Sequence, residues 1–258
     1  MLEINNLSDR FEQYFEKSID AVFFSPGRVN LIGEHIDYNG GNVLPAAISM
    51  GISAAVKYNN TPTIHIYANN FKECFELDIS KPIKIDAINI SWKTYVLATL
   101  KVLQDMDIPL YGADIYIDSD LPIGSGLSSS AAFECIIAMI FAHNNFNNDR
   151  KSLAVAMQKA EKDYVGVNCG IMDQYAIANG KKDHAMLLDC ATITHNYIPA
   201  NFGNYQMLII NSNHPRTLAN SKYNERRQEC EIALDIINQI LPTSNLIDTN
   251  VFTLDYIS

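Results

Sequence analysis

Between Ser25 and Gly41 the sequence SPGRVNLIGEHIDYNGG sets one cation, Arg28, and three potential ligands, Glu34, His35 and Asp37, within ten residues bounded by glycines. Carboxylates and imidazole accept or exchange protons along fixed directions, which suits a grip on vicinal hydroxyls. A planar guanidinium such as that of Arg28 suits a phosphoryl group. Taken alone, the same residues also fit a polar surface loop.

A second stretch joins Gly124, Ser125, Gly126, Leu127, Ser128, Ser129 and Ser130 directly to the apolar run AAFECIIAMIFAH. Glycines let the backbone approach an anion, serines add hydroxyl donors, and the helix that follows points free N–H groups at the same place. A phosphate chain fits such a loop, and so does a simple turn capping a buried helix. The common nucleotide motifs do not match: no Lys follows the last glycine, and Ser129 stands where a dinucleotide fingerprint needs its third glycine.

In the third stretch, NCGIMDQY, Asp173 follows a glycine turn among apolar neighbours. A carboxylate there could orient the proton of a reacting hydroxyl, provided a cation beside it keeps it ionised. By itself Asp173 also reads as a helix cap. Glu161, twelve residues earlier, reads as a solvated charge or a metal ligand.

The elements that must position these residues can be read from periodicity. Phe11 to Lys17 predicts a short leading helix, AVFFSPGRVNLIG a strand broken at Pro26 and Gly27, and VLPAAISMGISAAVKY further strand. TIHIYANN and FKECFELDI predict a strand pair turning at Asn69 and Asn70. Trp92, Tyr95, Val96, Thr99, Leu100 and Leu103 recur at helical spacing, and ADIYIDSDLP returns to a strand before the serine loop. Asn144 to Asp149 predicts a loop, Lys151 to Tyr164 a helix, Met172 to Ala178 another, HAMLLDC and NYQMLIINS strands, and Thr217 to Leu241 a long helix stopped by Pro242. No internal repeat or low-complexity linker interrupts the chain.

Composition narrows the classes. The 258 residues are 48% hydrophobic and 19% charged, which predicts a globular protein with a full core. A formal charge of −10 argues against nucleic acid as the partner. No run approaches the ~20 apolar residues of a membrane helix, and the amino terminus lacks a secretory pattern, so a cytoplasmic protein without a membrane partner is expected. Five widely spaced cysteines contain no C-x-x-C pair, which predicts reduced thiols, and Cys169 reads as a small buried hydrophobe rather than a reactive group.

Together GRVNLIGEHIDYNGG, PIGSGLSSSAAFE, GIMDQ and the later SKYNERR resemble, in order, the galactokinase branch of the small-molecule kinase family that also holds homoserine, mevalonate and phosphomevalonate kinases. The resemblance implies an α+β fold. Residues 1–200 would form an amino-terminal domain like the second domain of ribosomal protein S5, and 201–258 the incomplete start of a ferredoxin-like domain. It implies transfer of the γ-phosphoryl of ATP to O1 of α-D-galactose, with Mg2+.

Residue by residue, the resemblance gives Glu34, His35, Asp37, Gly170 and Tyr223 to the sugar, and Asp173 and Arg28 to catalysis. It gives Gly124 to Ser130 to the ATP phosphates, Ser130 and Glu161 to the magnesium ion, and Trp92 and Tyr95 to the adenine pocket. The spacing of those two aromatics is also that of core residues. Nothing between Tyr223 and Ser258 resembles the family's third glycine-rich motif, so a truncated chain is expected, with self-association or a complementary carboxy-terminal polypeptide as partner. The alternatives are a non-catalytic galactose and ATP sensor, an inactive fragment and an N-acetylgalactosamine kinase. The complete GLSSSAA run favours enzyme ancestry over the sensor.

Overall fold

A computed structural model describes residues 4–86, 88–122, 124–211 and 219–239. The element order begins α1 (Ile4–Phe15), β1 (Ala21–Asn30), a 3-10 turn (Asp37–Asn39), β2 (Asn42–Val43), β3 (Pro45–Tyr58), β4 (Thr63–Ala68) and β5 (Glu73–Asp78). It continues through α2 (Trp92–Asp105), β6 (Ala113–Ser119), α3 (Ser129–Phe146), α4 (Arg150–Ala160), a π-turn (Glu161–Val165) and α5 (Met172–Ala178). β7 (His184–Asp189), β8 (Thr194–Pro199) and α6 (Ala219–Asn238) complete it.

Five strands pair in the order β1-β3-β6-β4-β5, with β4 and β6 parallel and the other neighbours antiparallel. The parallel step needs a crossover, which α2 supplies between β5 and β6. A smaller antiparallel sheet runs β2-β7-β8. This is the α+β arrangement expected.

Alternation sorts the two faces of the large sheet. On β6, Ala113, Ile115 and Ile117 enter the main core with Ile64 and Ile66 of β4 and residues of α2 and α3. The opposite face of β6 carries Asp114, Tyr116 and Asp118, and α1 covers it with Leu7 and Phe11. Arg10 pairs with Asp118, and Lys17 reaches Asp114 at 2.6 Å. α3 is apolar on almost every side, as a helix enclosed by other elements must be. Its Ile136, Ile137 and Ile140 are at most 1% exposed, and burial of each contributes about 1.5–3 kcal/mol.

Several expectations need correction. The leading helix is α1 at Ile4–Phe15, earlier than Phe11 to Lys17. β1 is not broken at Pro26 and Gly27; it absorbs them in a bulge between Pro26 and Arg28. Asn144 to Phe146 remain helical beyond a kink at Ala142, and the next helix passes into a π-turn at Glu161. β8 lacks apolar alternation, and the sequence does not predict it. NYQMLIINS forms no strand over its described residues, 204–211, where Tyr205, Leu208 and Ile210 are 84%, 80% and 79% exposed. The predicted helix limits at Thr217, Leu241 and Pro242, and residues 240–258, lie outside the described residues.

Candidate active site

The bulge in β1 aims Arg28. A bulge adds a residue to one strand and redirects the side chains beside it. Gly27 permits the close approach that follows, since a Cβ there would lie 2.6 Å from Leu121 Cδ2 and 2.9 Å from the Leu127 carbonyl. The Arg28 backbone N–H donates to Leu127 O at 3.1 Å, and its Nη1 donates to Gly126 O at 2.7 Å. The rest of the fork turns to Asp173, with Nη2 at 2.7 Å and Nε at 2.9 Å from Oδ1. One guanidinium therefore ties the glycine loop to the first turn of α5. Ser128 Oγ donates to the other oxygen, Asp173 Oδ2, at 2.5 Å.

The turn after β1 carries Glu34, His35 and Asp37. Glu34 accepts from Asn30 Nδ2 at 2.9 Å and faces solvent. His35 sits at φ 60°, a costly conformation for a side-chain-bearing residue, and its Nδ1 is 2.9 Å from the Tyr38 hydroxyl. Asp37 packs against Gly170 so closely that a Cβ at 170 would meet Oδ2 at 2.1 Å. Burial, followed by the negative charge of Asp173, pushes the Asp37 carboxyl up to about 6.

Tyr223 of α6 closes over the same turn. The Gly170 N–H donates to its hydroxyl at 3.3 Å, and its ring lies 5.8 Å from that of His35 and 5.4 Å from that of Tyr38. Asn224 donates to Gly166 O at 3.1 Å and accepts from the Asn168 N–H at 2.9 Å. Arg227 donates to Asn168 O at 3.2 Å and lies over the Tyr38 ring. A cavity of about 540 Å³ opens here, lined in part by Asp37, Tyr38, Gly170 and Arg227.

Against the serine run lies a second, apolar cavity of about 240 Å³. Phe71, Trp92, Tyr95 and Phe133 line it, and Ser129 and Ser130 form part of its polar margin. Trp92 stacks on Phe71 at 6.0 Å with 5° between the planes, and its indole N–H donates to Glu73 at 3.1 Å. Trp92 and Tyr95 thus line a cavity while also packing against the core. Gly124 and Gly126 take φ of 69° and 76°, so the loop leading to the serines is built from left-handed turns.

Near Ser130 lie two buried carboxyls. The Glu161 carboxyl is pushed up to about 7 by burial first and then by the charge of Asp173, while hydrogen bonds from Cys169, Gln174 and Ser130 oppose the rise. Glu134 is raised well above the usual carboxylate range by burial and by Glu161. Gln174 Nε2 bridges them, 2.7 Å from Glu161 and 3.4 Å from Glu134. Glu134 Oε1 and Gln174 Oε1 find no partner among the described residues, although buried polar atoms normally have one. Among the described residues no cluster of three or more His, Cys, Asp or Glu side chains has metal-holding geometry.

Sequence reasoning missed the bridge of Gln174 between Glu134 and Glu161, the bond from Ser128 to Asp173, and the anchoring by Asn224 and Arg227. Glu134 and Gln174 stand inside the runs AAFE and MDQ, and a charge in an otherwise apolar helix was the available signal.

The galactokinase galactose-binding signature matches residues 9–58, and the GHMP kinases N terminal domain matches 94–181. Galactokinase from Clostridium tetani is 44% identical over 241 residues, covering 92% of this chain and 61% of the relative. Galactokinase from Clostridium perfringens is 41% identical over 251 residues, covering 95% and 64%. The crystal structure of Lactococcus lactis galactokinase complexed with galactose superposes with a TM-score of 0.87 at 36% identity, covering 94% of this chain and 63% of that one. The chain therefore spans a little over three fifths of the length of these relatives.

Proposed function

Because the chain belongs to the galactokinase family of the GHMP kinases, we propose that it serves transfer of the γ-phosphoryl of ATP to O1 of α-D-galactose, giving galactose 1-phosphate and ADP. The observation that carries this reading is the position of Asp173. It lies between Arg28, which reaches the glycine loop, and the turn whose Asp37 feels its charge. In this reading an acceptor carboxylate stands where a sugar hydroxyl and a phosphate chain would meet.

In this reading Glu34, His35 and Asp37 take sugar hydroxyls, with Gly170 and Tyr223 completing the grip. Asp173 orients and accepts the proton of the reacting hydroxyl. Arg28 stabilises negative charge on the transferring group, and phosphoryl transfer asks a protein chiefly for such positioning and charge stabilisation. Gly124 to Ser130 hold the phosphates at the start of α3. Trp92 and Tyr95 receive the adenine, a use supported by the apolar cavity they line.

Ser130 and Glu161 are the residues that would hold Mg2+, whose charge would help neutralise the phosphate oxygens. The crowding of carboxyls and the orphaned oxygens of Glu134 and Gln174 suit a nearby cation. In the same reading residues 1–200 take the form of the second domain of ribosomal protein S5, and 201–258 begin a ferredoxin-like domain. ATP as co-substrate suits a cytoplasmic setting, and no described helix is long and apolar enough to cross a membrane.

The test is ADP release by the 258-residue chain with galactose and ATP, run beside calorimetric titration with each and with N-acetylgalactosamine as a second acceptor. Galactose-dependent ADP release is expected, falling by roughly 10²–10⁴-fold in Asp173→Asn while galactose still binds. Binding of both ligands without product would overturn the catalytic assignment for this chain, and preference for N-acetylgalactosamine would overturn the choice of sugar.

A further inference from the structure

Ser128 is the one residue of the serine run whose backbone and side chain are both out of the ordinary. Its φ and ψ are 59° and 46°, in the left-handed region where a Cβ crowds the following carbonyl. At Gly124 and Gly126 the same loop meets positive φ with glycine, so a serine at the third such position needs a reason. Ser128 also stands at the N-cap of α3, where serine ordinarily accepts a backbone N–H, and it makes no such bond. The residue is 7% exposed, and its hydroxyl is directed at Asp173 Oδ2, 2.5 Å away.

We infer that Ser128 is a positioning residue, holding the Asp173 carboxylate by the oxygen that Arg28 leaves free, and that its hydroxyl is what this strained position retains a serine for. The inference rests on the reading of Asp173 as the group that acts on the sugar hydroxyl. Arg28 alone grips Oδ1, about which the carboxylate could still turn. A donor on Oδ2 stops that rotation and leaves a lone pair of the same oxygen for a substrate proton. The hydroxyl proton engaged by Asp173 is not available to a phosphate oxygen, which leaves the hydroxyl contacts to phosphate proposed for Gly124 to Ser130 to the other serines of that loop. The run therefore divides, with Ser128 serving the acid–base residue and Ser129 and Ser130 facing the cavity margin.

Two substitutions separate the backbone from the hydroxyl. Ser128→Ala removes the hydroxyl and keeps the strained Cβ, whereas Ser128→Gly removes both. Ser128→Gly is expected to melt about 2–4 °C above Ser128→Ala, because glycine adopts the left-handed conformation freely. Both variants are expected to lower kcat at least about tenfold with KM for galactose and ATP changed less than about threefold, since misplacement of a reacting group acts on turnover. Crystal structures of Ser128→Ala should show the Asp173 carboxylate rotated about its Arg28 contact.

Asp173→Asn is run in parallel. If it loses turnover while both serine variants keep kcat within about twofold of the native chain, the positioning role is wrong and the reading of Asp173 stands. If Asp173→Asn itself keeps turnover, that reading is what fails. Should the native chain show no turnover, an Asp173 carboxylate unmoved in the Ser128→Ala crystals overturns the inference.

Discussion

Arg28 grips a single oxygen of Asp173 with two nitrogens, Nη2 at 2.7 Å and Nε at 2.9 Å from Oδ1, while its remaining nitrogen holds Gly126 O. The Arg28 side chain is only 13% exposed, so solvent screens this contact less than a surface pair. A lysine carries the same charge but lacks the planar fork and cannot serve loop and carboxylate together. Arg28→Lys is expected to reduce kcat on the order of 10²-fold, the cost of misplacing a reacting group by about 1 Å. Galactose affinity by calorimetry should change little. Unaltered turnover would show that the charge alone suffices.

Asp37 predicts two pH effects of opposite sign. Its carboxyl is pushed up to about 6, first by burial and then by Asp173, with backbone N–H groups of the turn and Arg28 pulling the other way. An unfolded aspartate titrates near about 3.9, so between about pH 4 and 6 the folded chain binds more protons than the unfolded one. The stability Asp37 contributes is fully present below about pH 4 and is lost as pH rises through about 6. Galactose affinity should rise across the upper part of that window, because the ionised carboxylate is the better acceptor for sugar hydroxyls. Thermal melts and calorimetry across this window and up to neutral pH, compared with Asp37→Asn, check both signs. A variant with the same pH slopes as the native chain would remove Asp37 as their source.

The candidate site was more legible in the sequence than its supports were. Glycines and ligand groups close together in the chain marked the turn after β1, and Gly124 to Ser130 marked the entry to α3, because local backbone needs leave local signatures. The bond between Ser128 and Asp173 joins residues 45 apart, and Gln174 reaches Glu134 across 40, distances over which periodicity carries no information. β8 lacks an apolar stripe because it is an edge strand exposed along nearly its whole length, so neither face demands the alternation that would reveal it. NYQMLIINS shows the converse, with strand-like residues that join no sheet over its described part.

Gly170 offers a steric test of the turn proposed to hold the sugar. A methyl group there would lie 2.1 Å from Asp37 Oδ2 and 2.8 Å from the Tyr38 backbone nitrogen. The carboxylate can swing away, but the backbone cannot without disturbing the 3-10 turn. Gly170→Ala is expected to cost about 1–3 kcal/mol of stability, as overpacking does, and to weaken galactose binding more than ATP binding. Chemical denaturation reads the first effect and calorimetry the second. Equal losses for both ligands would mean that the substitution disturbs the whole fold rather than this turn.

Trp92 distinguishes the two cavities energetically. Its ring stacks on Phe71, meets Phe75 and Phe133 edge-on, and lines the apolar cavity with Tyr95, whereas the cavity at Asp37 and Gly170 shares none of these residues. Aromatic truncation in a core costs about 3–5 kcal/mol, so Trp92→Ala would confound binding with unfolding. Trp92→Leu keeps an apolar side chain there while removing the flat surface on which a base can stack. Base stacking on an aromatic side chain contributes about 1–3 kcal/mol, which corresponds to a roughly 5- to 150-fold loss of ATP affinity. Galactose affinity should stay within about twofold, and the melting curve should show a folded protein. Undiminished ATP binding by a folded Trp92→Leu chain would leave Trp92 a core residue and move the adenine elsewhere.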